Sequence, residues 1–132
     1  MENIDTKTKN IGDIGEEFTA KYLIEHDYKI IARNYHSRYG EIDIIAENSQ
    51  IIAFVEVKTR RENPLYSPRE SVVKSKQKKI MQTAVLYLQK TCSPLQPRFD
   101  VAEVLLKNHV NELHCINYIQ NAFMQEGNYA PF

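Results

Sequence analysis

Asp43 and, after twelve intervening residues, the run Glu56-Val57-Lys58 are the residues of this chain best suited to chemistry. Side chains on a strand alternate, so Glu56 and Lys58 emerge on one face while Val55 and Val57 enter the other. Glu56 interrupts an otherwise apolar run from Ile51 to Val57. A carboxylate buried without a partner is costly, so two of them on such a face would need a cation. Asp43, Glu56, the main-chain carbonyl of Val57 and water suit an oxygen-ligated Mg²⁺ or Mn²⁺. Such an ion acidifies a bound water and stabilises charge on a phosphate under attack. The Lys58 ammonium would reach the same water or phosphate and offset negative charge as it develops. The plain alternative is an exposed cross-strand ion pair of Asp43, Glu56 and Lys58, worth about 1 kcal/mol or less.

Either reading depends on a hairpin. GEIDIIAE from Gly40 to Glu47, the polar Asn48-Ser49 and QIIAFVEVKT from Gln50 to Thr59 predict two antiparallel strands, the second central because both its faces are largely apolar. A two-residue turn pairs Glu47 with Gln50 and sets Asp43 opposite Phe54, on the face of Glu56 and Lys58. A slip of one residue would send Asp43 to the other face. Before the hairpin, the spacing of Ile14, Phe18, Tyr22 and Ile24 predicts a helix from Ile11 to His26, and Tyr28 to Tyr35 predicts a strand. After it, Pro64 and Pro68 mark a loop from Glu62 to Arg69. A helix from Glu70 to Lys90 follows, with Val73, Ile80, Ala84 and Leu88 inward, and then strands from Arg98 to Leu106 and Leu113 to Ile119, joined through Asn108-His109. The order α-β-β-β-α-β-β is that of an α/β domain, a mixed sheet flanked by helices. The domain is expected over residues 11–123, between an arm (1–10) and a loose tail (124–132).

A chain of 132 residues with 42% hydrophobic and 26% charged residues has ordinary globular composition, which excludes disordered and fibrous classes. No apolar run approaches the ~20 residues that cross a bilayer and no signal peptide is visible, so a cytoplasmic protein is expected. Cys92 and Cys115 form no CxxC pair and are expected as reduced packing residues without a disulfide. Seventeen basic and seventeen acidic residues cancel overall. Their distribution is uneven, because Lys58 to Lys79 carries eight cations against Glu62 and Glu70. Such a stripe can hold a polyanion locally, or can simply be a solvated helix face.

Asp43…Glu56-Val57-Lys58 resembles the PD-(D/E)XK nuclease signature in the form found in archaeal Holliday junction resolvases. More closely, the chain resembles the YraN-like family of uncharacterised bacterial proteins. The matching stretches are Gly12-Asp13-Ile14-Gly15-Glu16-Glu17, Arg33-Asn34-Tyr35, GEIDIIA from Gly40, FVEVKTR from Phe54, Ser75-Lys76-Gln77, Arg98-Phe99-Asp100-Val101 and Ala122-Phe123. The resemblance implies a restriction-endonuclease-like fold and a metal-dependent nuclease centre. In it Asp43 and Glu56 would hold the metal, Lys58 would be the catalytic lysine, and Glu17 the first-helix acid that supports the metal shell. Ile42 stands where the superfamily carries proline.

Read by helical direction, Glu17 lies between Ile14 and Ile24, toward the packed side, and Glu16 is its solvated neighbour. Glu17 would then need a metal shell or Lys58 as partner; it equally suits a helix N-terminus alone. Gln77, on the packing stripe of the second helix, occupies the region where resolvase-like members contact phosphate or water, and it could equally hydrogen-bond the sheet. Asp100 is expected to brace Arg98 or a neighbouring strand. DNA, branched or single-stranded, would be held by Arg38, Arg60, Arg61, Lys74, Lys76, Lys78 and Lys79, with Tyr35, Tyr39 and Tyr66 available to stack on bases. The expected function is DNA phosphodiester hydrolysis in repair or recombination, by a homodimer if two strands are cut symmetrically. The alternative is a catalytically silent DNA-binding or assembly module that keeps the nuclease fold.

Overall fold

The computed structural model describes residues 10–62 and 72–124. The element order is α1 (Ile11–Glu25), β1 (Lys29–Ser37), β2 (Gly40–Glu47), β3 (Ile51–Arg61), α2 (Lys74–Thr91), β4 (Gln96–Leu106) and β5 (Leu113–Ile119). The five strands form one sheet in sequence order; β3 and β4 are parallel and every other neighbouring pair is antiparallel. The α/β order expected from the sequence is the order found. The predicted loop 63–69, Glu70, and most of the predicted arm and tail lie outside the described residues, as does Tyr66.

Both faces of β3 are covered, which is why its sequence is apolar almost without alternation. On one face Ala53 and Val55 pack with Ile44, Ala46 and Ala102 against Ala20 and Leu23 of α1. On the other, Ile52 and Phe54 pack with Ile42, Ile45 and Phe99 against Ile80 and Ala84 of α2. Asn10 caps α1, its side chain accepting from the Asp13 amide at 2.8 Å. At Gly15 the helix approaches β3 so closely that an added Cβ would stand 1.7 Å from Thr59 Oγ1.

Three apolar expectations are corrected. Ile24 is 58% exposed, and Leu23 is the buried residue that ends the α1 stripe. Val73 is 62% exposed because it is the extended N-cap of α2, which starts at Lys74. Val72 enters the core in its place. Cys92 and Cys115 are exposed free thiols and do not pack.

The β2–β3 turn is longer than predicted. Asn48 Oδ1 accepts from the amides of Gln50 (2.8 Å) and Ile51 (2.7 Å), so Glu47 pairs with Ile52 instead of Gln50. The register therefore moves by two residues, which preserves the face of every side chain.

Asp100 is fully buried and bound by four groups. Arg98 Nε and Nη2 donate to it, Tyr118 Oη donates at 2.7 Å, and the Asn121 amide at 2.9 Å; Tyr28 Oη accepts from Arg98 Nη2 at 2.6 Å. Asp100 thus braces Arg98, as expected. This network joins β4, β5 and the segment between α1 and β1.

Candidate functional site

The β2–β3 ladder stops at the pair Ile44–Val55, one residue before Asp43. Ile42 and Ile45 lie in the core beneath α2, whereas Ile44 lies in the core beneath α1. Strict alternation would put 42 and 44 on one face. On β1, Tyr35 meets Tyr87 of α2 while Arg33 meets Glu17 of α1, and Asn34 between them has φ 52°. The β1–β2 ribbon therefore turns over at Asn34 and Asp43 and parts from β3.

Asp43 occupies the resulting gap. Its Oδ2 accepts from the Val57 amide at 2.8 Å, and its carboxyl is hydrogen-bonded to Glu56. A residue's N–H and C=O point to the same side of a strand, so the Val57 carbonyl faces the gap too. Burial, then the charge of Glu56, push the Asp43 carboxyl up to about 7 against the Val57 hydrogen bond. Glu16 adds to that push. Glu56 itself is 4% exposed.

The acid that α1 contributes is Glu16, which corrects the assignment of Glu16 as the solvated residue. Glu16 is 9% exposed and its Oε1 has no hydrogen-bond partner among the described residues. Arg33 Nη2 stands 3.9 Å from that oxygen, and Asn34 hydrogen-bonds the side chain. Burial raises the Glu16 pKa, with Asp13 and Glu41 adding and Arg33 and Asn34 opposing. Glu17 is ion-paired at 3.1 Å with Arg33 Nη1. The signal was in the sequence: at 100° per residue Glu16 falls between Ala20 and Leu23, both buried, whereas Glu17 points with the exposed Ile24.

Lys58 emerges on the α2 side of β3, next to Glu103 of β4, and no ion pair of Lys58 with Asp43 or Glu56 is found among the described residues. The ammonium that does reach the carboxylates belongs to Lys76 on α2, 2.5 Å from Glu56 Oε2. Partial burial disfavours its charge, but the hydrogen bond to and charge of Glu56, then Asp43 and Glu41, more than offset this and raise its pKa. No sequence periodicity forecasts this contact, which joins separate elements.

The other expected residues divide. Lys74, Lys78 and Lys79 lie exposed along the first turns of α2, and Arg38 is exposed at the β1–β2 tip, over the Tyr39 ring. Ser37 Oγ and Thr83 Oγ1, 2.7 Å apart, tie that tip to α2, so these cations border the same side. Arg60 is half-buried on β3. Arg61 is occupied: it donates to the carbonyls of Lys107 and Val110 and to Asn111 Oδ1, which clasps the β4–β5 turn. Gln77 donates to the Val72 carbonyl at 2.7 Å and secures the start of α2. Tyr35 is committed to an edge-to-face contact with Tyr87, which in turn meets Phe54, and Tyr39 remains accessible.

Among the described residues no three His, Cys, Asp or Glu side chains are arranged to hold a metal. Two carboxylates at one point, a main-chain carbonyl and a third acid with an unpartnered buried oxygen nonetheless suit Mg²⁺ or Mn²⁺, because Mg²⁺ takes one or two carboxylates and keeps several waters. Among the described residues no helix is long and apolar enough to cross a membrane.

Comparison with known proteins places this chain in a family. The family model described as "Uncharacterised protein family UPF0102" matches residues 15–104, which include Glu16, Asp43, Glu56, Lys58 and Lys76. A UPF0102 protein of Clostridium tetani is 45% identical over 121 residues, covering 91% of this chain and 98% of the relative. One of Syntrophomonas wolfei is 41% identical, over 87% and 98%. One of Caldanaerobacter subterraneus subsp. tengcongensis is 40% identical, over 93% and 100%. On this match the chain belongs to the uncharacterised protein family UPF0102.

Proposed function

We propose that this protein is a divalent-metal-dependent nuclease that hydrolyses DNA phosphodiester bonds, a structure-selective or single-strand endonuclease of repair or recombination. The observation that carries the reading is the pairing of Asp43 with the buried Glu56 at the point where two strands part. The Val57 amide accounts for one oxygen of Asp43 and the half-exposed Lys76 ammonium offsets one charge, yet two acids buried together remain unfavourable without a further cation. The resemblance to PD-(D/E)XK nucleases supports the same reading, since Asp43, Glu56 and Lys58 fall on its signature.

In this reading Asp43, Glu56 and the Val57 carbonyl hold Mg²⁺ or Mn²⁺, and Glu16, rather than Glu17, supports the shell through water. The bound ion supplies an acidified water and charge stabilisation at the phosphate. Lys58, on the Glu56 face and without an ion pair to the two acids, is placed to donate to the attacking water or a phosphate oxygen. Lys74, Lys78, Lys79 and Arg38 hold the DNA backbone on the α2 side, which gives salt-dependent affinity without sequence discrimination.

A cleavage panel of branched, single-stranded and duplex DNA with Mn²⁺ tests this, with Glu56→Ala and Lys58→Ala beside the wild type. The expected result is cleavage by the wild type, none by either variant, and DNA binding retained by both. Equal cleavage by all three would place the activity elsewhere. Unaltered DNA binding with no cleavage by any would favour the silent binding or assembly module.

A further inference from the structure

We propose that Lys76 is a built-in counter-ion that occupies the cation seat of Glu56 in the metal-free protein and must leave when a divalent ion enters. This rests on the metal-centre reading above and adds a competitor to it. Glu56 is almost wholly enclosed, and the one described cation that touches it is the Lys76 ammonium, on Oε2. A carboxylate so enclosed is costly without a compensating charge, and in the metal-free fold Lys76 supplies it. The Lys76 side chain, in contrast, is 49% exposed, and its stem runs from the first turn of a helix whose outer face is open. Release into water therefore costs the lysine little, while Glu56 stays enclosed.

The same oxygens are those expected to meet the metal. An ion seated on Oε2 takes the position the ammonium now holds and repels its charge at short range, so each occupant disfavours the other. Metal affinity is then set by exchange: an ion entering the gap gains the carboxylates and loses whatever the Lys76 contact contributes. By linkage the metal weakens the hold of Glu56 on Lys76 as much as Lys76 weakens the hold on the metal. Lys76 is in this sense a positioning residue for α2 and a gatekeeper for Glu56, not a group fixed on DNA. Lys78, exposed on the same helix, forms no ion pair with the acids among the described residues and serves as the matched charge control.

Titrating Mn²⁺ into metal-stripped wild type, Lys76→Met and Lys78→Met by calorimetry separates direct competition from general charge. A hydrogen bond to a charged group is strong enough that its loss as a competitor should tighten Mn²⁺ binding about tenfold or more in Lys76→Met. Lys78→Met should stay within about twofold of wild type, as expected for a screened surface charge. Equal affinities in Lys76→Met and wild type, or equal gains in both variants, overturn the proposal and leave the metal reading standing. Failure of the wild type to bind Mn²⁺ overturns both. Because Lys76→Met leaves Glu56 unpaired and can unfold the metal-free protein, the wild type is followed independently by the NMR resonance of the hydrogen-bonded lysine ammonium. That signal should lose its protection on saturation with Mg²⁺; a resonance unmoved by saturating metal refutes the exchange.

Discussion

Replacing Asp43 with asparagine removes an ionisable proton from the centre of the molecule while keeping an oxygen for the Val57 amide. Burial and Glu56 hold the Asp43 pKa near 7, against 3.8 for an ordinary aspartate. The folded protein therefore keeps a proton that the unfolded chain releases near pH 4. Stability must fall as pH rises from about 4 to about 7, and the whole penalty is present above that window. At 1.36 kcal/mol per pH unit the difference amounts to about 4 kcal/mol, an upper figure because the proton belongs to the Asp43–Glu56 pair. Urea denaturation of the metal-free protein in chelator, at steps from about pH 5 to about pH 8, reads this directly. Wild type should lose up to about 3 kcal/mol across this range, since the part of the loss below about pH 5 lies outside it. Asp43→Asn should give a much flatter curve and exceed wild type in stability at the alkaline end. Saturating Mg²⁺ should reverse most of the wild-type loss, because it supplies the missing positive charge. Parallel curves for wild type and variant would refute the argument, since histidines and surface acids are common to both.

Other consequences follow from contacts elsewhere. Glu16→Gln should weaken Mn²⁺ binding measured by calorimetry, whereas Glu17→Gln should leave it unchanged, because Glu16 is enclosed beside Asp43 and Glu17 is paired with Arg33. Gly15→Ala forces a methyl onto Thr59 and should lower stability in denaturant melts by about 1–3 kcal/mol, an overpacking cost that exceeds the gain in helix propensity. Asp100→Ala leaves the Arg98 charge stranded and should cost about 3–5 kcal/mol in the same melts, with no effect on the Mn²⁺ affinity of protein that stays folded.

The order of elements along the chain and the two central carboxylates are legible from local patterns alone. Alternation in GEIDIIAE and the doubly apolar β3 define the hairpin, and a face-preserving register is enough to unite Asp43 with Glu56 even though the turn is longer than predicted. What escapes is tertiary. The choice between Glu16 and Glu17 turns on which way α1 lies on the sheet, and taking Ile24 as inward tilts that axis toward the wrong acid. Lys76 meets Glu56 only because α2 packs beside β2 with its first turn reaching the middle of β3, a contact written in no spacing. Arg61 reads as a phosphate contact by charge, yet its guanidinium matches three acceptors of the β4–β5 turn that are far away in sequence.

The parting of β2 from β3 links the fold to the proposed chemistry. Where the ladder ends, the Val57 amide would face an unfilled gap, and a buried amide without an acceptor is unfavourable. Asp43 Oδ2 satisfies it, so this side chain serves as a strand anchor whether or not a metal is present. One carboxyl thus carries two duties, and they respond differently to substitution. Asp43→Ala removes anchor and charge together, so a loss of cleavage in that variant would say nothing about metal. Asp43→Asn retains an acceptor for Val57 and removes only the negative charge. Mn²⁺ affinity that disappears in Asp43→Asn while the fold persists would assign the charge to the metal; affinity that survives would leave Asp43 as an anchor and shift the ligand role to Glu56 and Glu16.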